Sequence, residues 1–205
     1  MLHLTATLGR KQESVNTNLT VSDWPIASSR GFLSARDFKL AVYGVNNMNL
    51  YIRLLFIFFS ARRRNRITTT NLVNEITTIV LPNDLDLNLH VNNGRYMTLC
   101  DFNRVDLFIR SGLAGLMVKN KWAPIVAEHT MTYIKPLSIF DKIRVSMEIT
   151  HWDEKYFYSN HCFYKKDTKV AEGTSKSLII SRKDGSLQPE YVVEQVESFQ
   201  KNNSN

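Results

Sequence analysis

The chain has 205 residues, of which 43% are hydrophobic, and this is enough apolar side chain for the core of one domain. Its formal net charge of +7 favours anionic partners in general but does not select nucleic acid, lipid or a phosphorylated ligand. Cys100 and Cys162 lie far apart in the sequence and form no CxxC pair. The pattern therefore suggests neither a disulfide framework nor a zinc site, and a reducing compartment is the default.

Residues 1–47 are rich in serine, threonine and asparagine and show no sustained helical or strand period. No apolar h-region follows the start, so the sequence does not predict a secretory signal. Glu13, Asp23 and Asp37 argue against a transit peptide. We predict a poorly ordered extension, and the alternative is that Met48 is the natural first residue.

Residues 48–66 form a basic, amphipathic segment that we predict to be helical. The apolar run from Leu54 to Phe59 is too short to cross a bilayer, and four arginines follow it. The helix could lie on anionic lipid, or its apolar side could dock on the domain or on a partner subunit. If Met48 is the first residue, the segment also resembles a weak signal-anchor. We expect a cytoplasmic protein, with peripheral contact at the inner face of a membrane as an alternative.

From residue 67 onward the pattern predicts one strand, one long helix and four further strands. The helix has an N-cap at Asn92 or Asn93, is apolar nearly all round, and ends at Gly112 in a left-handed cap. Such a helix must be covered, so we predict an α+β fold in which an antiparallel five-stranded sheet wraps around one long buried helix. The strands are expected at 76–81, 124–134, 142–150, 156–164 and 170–180, and a helix at 189–199 precedes a disordered tail at 201–205.

The loop before the long helix carries the most informative motif. Residues 84–96 read DLDLNLHVNNGRY and resemble the DxDxxGHVNNxxY motif of hotdog-fold acyl-CoA thioesterases of the 4-hydroxybenzoyl-CoA thioesterase type. The order of predicted strands agrees with the hotdog fold. Residues 152–158, WDEKYFY, are similar to a segment of the subgroup related to thioesterase superfamily member six. Chains of that subgroup usually begin with a segment like residues 48–55, which supports Met48 as the start.

The resemblance implies that an acyl-CoA thioester is hydrolysed to free acid and CoA, without cofactor or metal. It makes Asp86 the catalytic carboxylate, as nucleophile or general base, and a helix N-terminal amide would polarise the carbonyl. His90 and Asn92 would orient Asp86, the thioester or the loop. The expected substrate-binding residues are Asn93, Gly94, Arg95 and Tyr96. The candidates for meeting the CoA phosphates are Arg95, Lys135, Lys155, Arg182 and Lys183.

Each motif residue also has a structural interpretation. We expect Asp84 to cap the loop, while His90 could equally hold the loop, and Asn93 could serve only as the helix cap. Leu89 stands where the general motif has glycine, so the loop could differ in shape from that of the family. The Asn103, Asp106 and Arg110 stripe is expected to form a polar seam between helices or subunits. His129, His151 and His161 fall on strand patterns and are expected to be packing or surface residues.

Two functions stay open at this point: thioester hydrolysis, and non-catalytic binding of acyl-CoA or lipid by a hotdog protein. A hotdog dehydratase is a weaker third, because no His-x(4)-Pro-Gly-like string is present. Nucleic-acid binding is disfavoured, since the basic residues cluster near the N-terminal segment and lack interleaved aromatic residues. The expected assembly is a homodimer or homotetramer.

Overall fold

The structure is a computed structural model that describes residues 35–203. The chain divides into two units, Met1–Ala41 and Val42–Asn205, and the sheet belongs to the second. Most of the predicted extension (residues 1–34) and the end of the predicted tail (residues 204 and 205) lie outside the described residues. Residues 35–47 are helical, so the N-terminal helix begins earlier than the sequence pattern indicated.

The described residues form one antiparallel sheet, four α-helices and one short 3-10 helix, Pro82–Asp84. The strands lie in the order β1-β3-β4-β5-β2, and a two-residue strand, β6, pairs with β5. This confirms the predicted α+β hotdog fold, whereas helix α3 and strand β6 were not predicted. The elements are α1 (Ala35–Arg63), β1 (Val73–Ile79), α2 (Asn93–Ser111), α3 (Leu113–Asn120), β2 (Trp122–Tyr133), β3 (Lys142–Trp152), β4 (Phe157–Lys165), β5 (Thr168–Ser181), β6 (Gly185–Ser186) and α4 (Pro189–Asn202).

Both ends of α2 are capped as the sequence predicted. The Asn92 side chain accepts a hydrogen bond from the Gly94 amide at 2.9 Å, which satisfies one of the amides left without a helical partner. Gly112 ends the helix with φ of 86°, a left-handed conformation that favours glycine. A Cβ atom at Gly112 would also lie 2.7 Å from the ring of Phe199 on α4. The sharp turn into α3 and the close approach of α4 therefore both require glycine at this position.

The inner face of the sheet covers α2. On β3 the alternating side chains of Ile143, Val145 and Met147 are buried, as expected for a strand with one face in the core. Tyr96 and Phe102 of α2 belong to the same cluster of buried side chains as Ile143 and Val145. This packing removes most of the apolar surface of α2 from water, which is the main driving force for wrapping the sheet around it.

The polar stripe of α2 is buried inside the chain. The Asn103 side chain accepts a hydrogen bond from Asn74 of β1 at 2.6 Å and donates one to the Val145 carbonyl at 2.9 Å. The Asp106 carboxylate accepts from Arg64, just beyond α1, at 3.1 Å, and from Arg110 at 3.4 Å. The stripe therefore joins α2 to the sheet and to the end of α1 within one subunit.

A second apolar cluster lies where α3 and α4 pack on the sheet, and it includes Trp122, Ile179, Val192 and Val196. A cavity of about 70 Å³ lies beside it, between α2, α4 and the sheet. Ligand pockets usually measure about 300–1,000 Å³, so this cavity is small for a substrate. Among the described residues, no helix is both long enough and apolar enough to cross a membrane.

Candidate active site

The acidic loop before α2 turns back on itself. The Asp86 amide donates to the His90 carbonyl at 2.8 Å, and Leu85 pairs with Val91 in an isolated bridge. The turn places Leu89 at φ of 59°, in the left-handed region that L side chains rarely occupy. A glycine, which the general motif has at this position, would occupy this region without strain. In this chain Leu89 makes the turn at the expense of backbone strain.

The Asp86 carboxylate is held by the loop itself. One oxygen, Oδ1, accepts hydrogen bonds from the Asn88 amide at 2.8 Å and the His90 amide at 3.3 Å. The other oxygen, Oδ2, accepts no hydrogen bond from any of the described residues. Asp86 is half-buried, so the carboxylate has a fixed orientation and one oxygen available for chemistry.

Asp86 and the start of α2 face a common cleft of about 320 Å³. This volume lies within the usual range for ligand pockets of about 300–1,000 Å³. The opposite wall is the segment that ends β2 and follows it, which sequence reasoning did not connect with the motif apart from Lys135. The residues lining the cleft are Asp86, His90, Val91, Asn93, Tyr96, Tyr133, Ile134, Lys135, Pro136 and Leu137.

Two tyrosines join the walls of the cleft. The ring of Tyr133 packs edge-on against Tyr96 with centroids 4.9 Å apart, and its hydroxyl donates to the Asn93 carbonyl at 3.4 Å. Burial, with a smaller contribution from the nearby Tyr133, raises the pKa of Tyr96 to about 12. The Tyr96 hydroxyl therefore stays protonated at neutral pH and can act only as a hydrogen-bond donor or neutral acceptor.

Three of the predicted site residues do not line this cleft. Asn92 is the helix cap, and Gly94 is the residue whose amide it caps. Arg95 extends towards the other side of the loop, where its guanidinium donates to the Asn83 carbonyl at 3.0 Å and lies 3.8 Å from the Asp84 carboxylate. The structure thus brings Asp86, His90, Asn93 and Tyr96 together and places Asn92, Gly94 and Arg95 in the supporting framework.

Asp84 anchors the loop from the protein interior. It is almost fully buried, and its carboxylate accepts from the Leu81 amide at 2.8 Å, which is the loop-capping role that the sequence favoured. Arg53 of α1 forms an ion pair with the same carboxylate at 2.6 Å. Arg53 could not be recognised from the sequence, because one basic residue among many in α1 carries no sign of this contact.

Residues 80–200 match the sequence profile of the Thioesterase-like superfamily, and this match covers more than half of the chain. The chain belongs to this superfamily. Among its relatives is Protein THEM6 of Xenopus laevis, which is 29% identical over 123 residues. That alignment covers 60% of this chain and 59% of the frog protein. The chain therefore spans less than two thirds of this relative's length.

Solved structures of two bacterial proteins have the same fold. The probable thioesterase YbaW from Escherichia coli superposes with a TM-score of 0.56 at 19% identity, covering 60% of this chain and 96% of YbaW. The protein SAV2348 from Staphylococcus aureus, solved in complex with CoA, gives a TM-score of 0.54 at 17% identity. Its alignment covers 68% of this chain and 89% of SAV2348. At these identities the likeness shows the fold alone.

Proposed function

We propose that the chain is an acyl-CoA thioesterase that hydrolyses a thioester to free acid and CoA, with Asp86 as nucleophile or general base. The observation that carries this proposal is that the available oxygen of Asp86 and the N-terminus of α2 belong to one cleft. A thioester needs an attacking group on its carbonyl carbon and donors for the oxyanion that forms.

The start of α2 supports the oxyanion part of the proposal. The Asn92 side chain accepts from the Gly94 amide, and the Asn92 carbonyl accepts from the Arg95 amide at 2.9 Å. Among the described contacts this leaves the Asn93 amide as the first-turn donor without a cap. Helix N-terminal amides carry partial positive charge, so this amide would stabilise the oxyanion once the thioester carbonyl docks beside it.

The reaction would proceed by addition at the thioester carbonyl and expulsion of the CoA thiolate. In the base variant, Asp86 takes a proton from water, the hydroxide oxygen bonds to the carbonyl carbon, and the carbon–sulfur bond breaks. In the nucleophile variant, Asp86 bonds to the carbon first, and water then cleaves the resulting anhydride. The thiolate is a good leaving group, so neither variant needs a strong general acid.

CoA as the substrate carrier is supported by one cationic residue of the cleft and by a structural relative. Lys135 lines the cleft and offers an ammonium group to the CoA phosphates. SAV2348, which has the same fold, was solved in complex with CoA. Of the five cationic residues suggested by the sequence, Lys135 is the one that lines this cleft. Because Lys135 would bind the CoA phosphates and not the reacting carbonyl, Lys135→Ala should raise the KM for acyl-CoA more than it lowers kcat.

The test is the release of free CoA thiol from short, long and aromatic acyl-CoAs by the full chain. Removing the reacting carboxylate in Asp86→Asn should lower kcat by about 100-fold or more. Asp167→Asn is a matched control, because Asp167 lies exposed in the turn between β4 and β5. Loss of activity in Asp86→Asn but not in Asp167→Asn, with both variants folded, would support the proposal. Turnover that persists in Asp86→Asn would remove Asp86 from the mechanism.

The alternative is a non-catalytic protein that binds acyl-CoA or lipid. Acyl-CoA binding without turnover in wild type, and unchanged binding in Asp86→Asn, would establish that function instead. The cleft volume suits either function, and the oxygen of Asp86 that accepts no hydrogen bond from the described residues, in the same cleft as the start of α2, favours hydrolysis.

Exposed apolar side chains on α1 support peripheral contact with a membrane. Large apolar side chains stand exposed at i, i+4 spacing, including Phe56 at 70% exposure and Tyr51, Leu55 and Phe59. Arginines follow them at the end of the helix, as in helices that lie on anionic lipid. Such contact would be that of a cytoplasmic protein with the inner face of a membrane. Phe56→Glu should weaken co-sedimentation of the chain with anionic vesicles. Equal binding of wild type and variant would argue against membrane contact by this face.

A homodimer or homotetramer is supported by the edge of the sheet. Strand β2 has 12 residues and lies at the edge, with exposed apolar side chains at Ile125 and Val126. Long apolar edge strands pair readily with a second strand. Light scattering should therefore give an even number of subunits, and a monomer at micromolar concentration would refute this expectation.

A further inference from the structure

A cysteine and two histidines meet in the interior, away from the cleft. Cys100 comes from α2, His129 from β2 and His161 from β4, and one potential metal-ligand atom from each lies within 4.8 Å of the other two. The two imidazole rings have their centroids 5.1 Å apart. Cys100 and His161 are fully buried, and His129 is half-buried.

Two nitrogens of this cluster are buried without a partner. His129 Nε2 and His161 Nδ1 make no hydrogen bond with any of the described residues. Leaving a buried polar atom unpaired costs about 1–3 kcal/mol. Native proteins contain few such atoms, so two in one cluster call for a physical explanation.

A neighbouring serine fixes one of the imidazoles. His161 Nε2 lies 2.8 Å from the Ser175 hydroxyl oxygen on β5. When Nε2–H donates to this oxygen, the Nδ1 atom is left with its lone pair directed away from Ser175. A metal-binding histidine usually has this arrangement, in which the second ring nitrogen donates to a fixed acceptor.

Two charged residues lie next to the cluster, and they neutralise each other. The Arg104 guanidinium forms an ion pair with the Asp101 carboxylate and donates to the Ser175 hydroxyl at 3.5 Å.

We propose that Cys100, His129 and His161 bind one divalent transition-metal ion of the zinc class. A thiolate and two imidazoles are borderline-soft ligands that suit zinc, cobalt and copper better than magnesium or calcium. Around a tetrahedral ion with bonds of about 2.0–2.3 Å, the ligand atoms would lie roughly 3.5 Å apart. Rotation of the side chains would close the present spacing, and the Cys100 thiol would give up its proton to supply one negative charge.

Such an ion would tie the central helix to two strands that are not neighbours in the sheet. The ligands come from α2, β2 and β4, and β5 lies between those two strands and supplies Ser175. Because the ion would bind only the folded chain, loading should raise the melting temperature. This readout does not depend on catalysis, so the proposal stands or falls separately from the thioesterase function.

Cobalt(II) titration of the untagged full chain tests the site. We expect one ion per chain, a near-ultraviolet thiolate-to-cobalt charge-transfer band, displacement by zinc, and a higher melting temperature in the loaded chain. Cys100→Ser should abolish the band, whereas Cys162→Ser should keep it, because Cys162 is the other free cysteine and is not in the cluster. Ser175→Ala, which removes the orienting hydroxyl, should weaken binding by about 10- to 100-fold.

His129→Gln is a second test of the site in case Cys100→Ser does not fold. His129 is half-buried, so its replacement should disturb the core less than replacement of the fully buried Cys100. In that variant the cobalt affinity should fall at least tenfold while circular dichroism stays native. Absence of the charge-transfer band in wild type, or a band and affinity that survive in Cys100→Ser or His129→Gln, would overturn the proposal.

Discussion

Replacing Arg53 by alanine should loosen the loop that carries Asp86. The Arg53 guanidinium donates to both oxygens of the buried Asp84 carboxylate, at 2.6 and 3.3 Å, and to the Ile79 carbonyl at 2.9 Å. Removing one partner of a buried ion pair costs about 3–5 kcal/mol. The Leu81 amide at 2.8 Å still satisfies the carboxylate in part, so we expect the low end, about 3 kcal/mol.

For a chain of this size each kcal/mol lowers the melting temperature by about 2–4 °C, so Arg53→Ala should melt roughly 6–12 °C below wild type. The assay is thermal and urea unfolding followed by circular dichroism. Arg62→Ala is the control, because Arg62 is an exposed arginine on the same helix whose contact is with the Phe58 ring. If Arg53→Ala destabilises the chain no more than Arg62→Ala does, the ion pair with Asp84 does not anchor the loop.

Three further changes test other local features. Leu89→Gly removes about 1–2 kcal/mol of backbone strain from the folded chain, because glycine adopts the left-handed conformation freely. Glycine also raises the conformational entropy of the unfolded chain, which costs about 0.5–1 kcal/mol of stability. Urea unfolding should therefore show a gain of up to about 1.5 kcal/mol. Gly173→Ala would place a Cβ atom 2.2 Å from the Thr130 carbonyl and push β2 away from β5, lowering stability by about 1–3 kcal/mol in the same assay. Two backbone amides and the Tyr158 hydroxyl lower the pKa of Asp153 from 3.8 to about 2. The stability lost in Asp153→Asn should therefore be constant above about pH 5, shrink between about pH 4 and pH 2, and disappear as the pH falls through 2.

Each of these changes has an outcome that contradicts it. Leu89→Val places a β-branched residue in the left-handed region, so a Leu89→Gly chain that is less stable than Leu89→Val would show that the turn is not strained. An unchanged melting temperature in Gly173→Ala would mean that β2 can shift freely. A difference between wild type and Asp153→Asn that keeps the same size from pH 5 down to pH 2 would show that the carboxylate is not the source of the effect.

Local chemistry was enough to predict most elements of the fold. The caps at Asn92 and Gly112 are signals carried by single residues, and the structure confirms both. The alternation of Ile143, Val145 and Met147 predicted the buried face of β3, since successive side chains of a strand point to opposite sides. Helix α3 was missed because the glycine that ends α2 also begins α3, and a cap residue carries no information about the next element.

Part of the candidate site could also be predicted from the motif. Its residues Asp86, His90, Asn93 and Tyr96 lie close in sequence and line the same cleft. The far wall of the cleft comes from the end of β2, and its position depends on how the sheet wraps around α2. No local sequence pattern predicts the distance between the motif loop and the end of β2. The role of Arg95 was likewise decided by packing, because a long side chain at the start of a helix can point to either side of the loop.

The sequence by itself determined where most of the helices and strands lie and which loop carries the family motif, because caps, turns and alternation act over a few residues. Only the tertiary structure decided that Arg53 pairs with Asp84, that Tyr133 closes the cleft, and that Cys100 meets two histidines from separate strands. The physical reason is that these contacts join elements far apart along the chain. They depend on how the sheet packs around α2, which the burial of apolar surface drives.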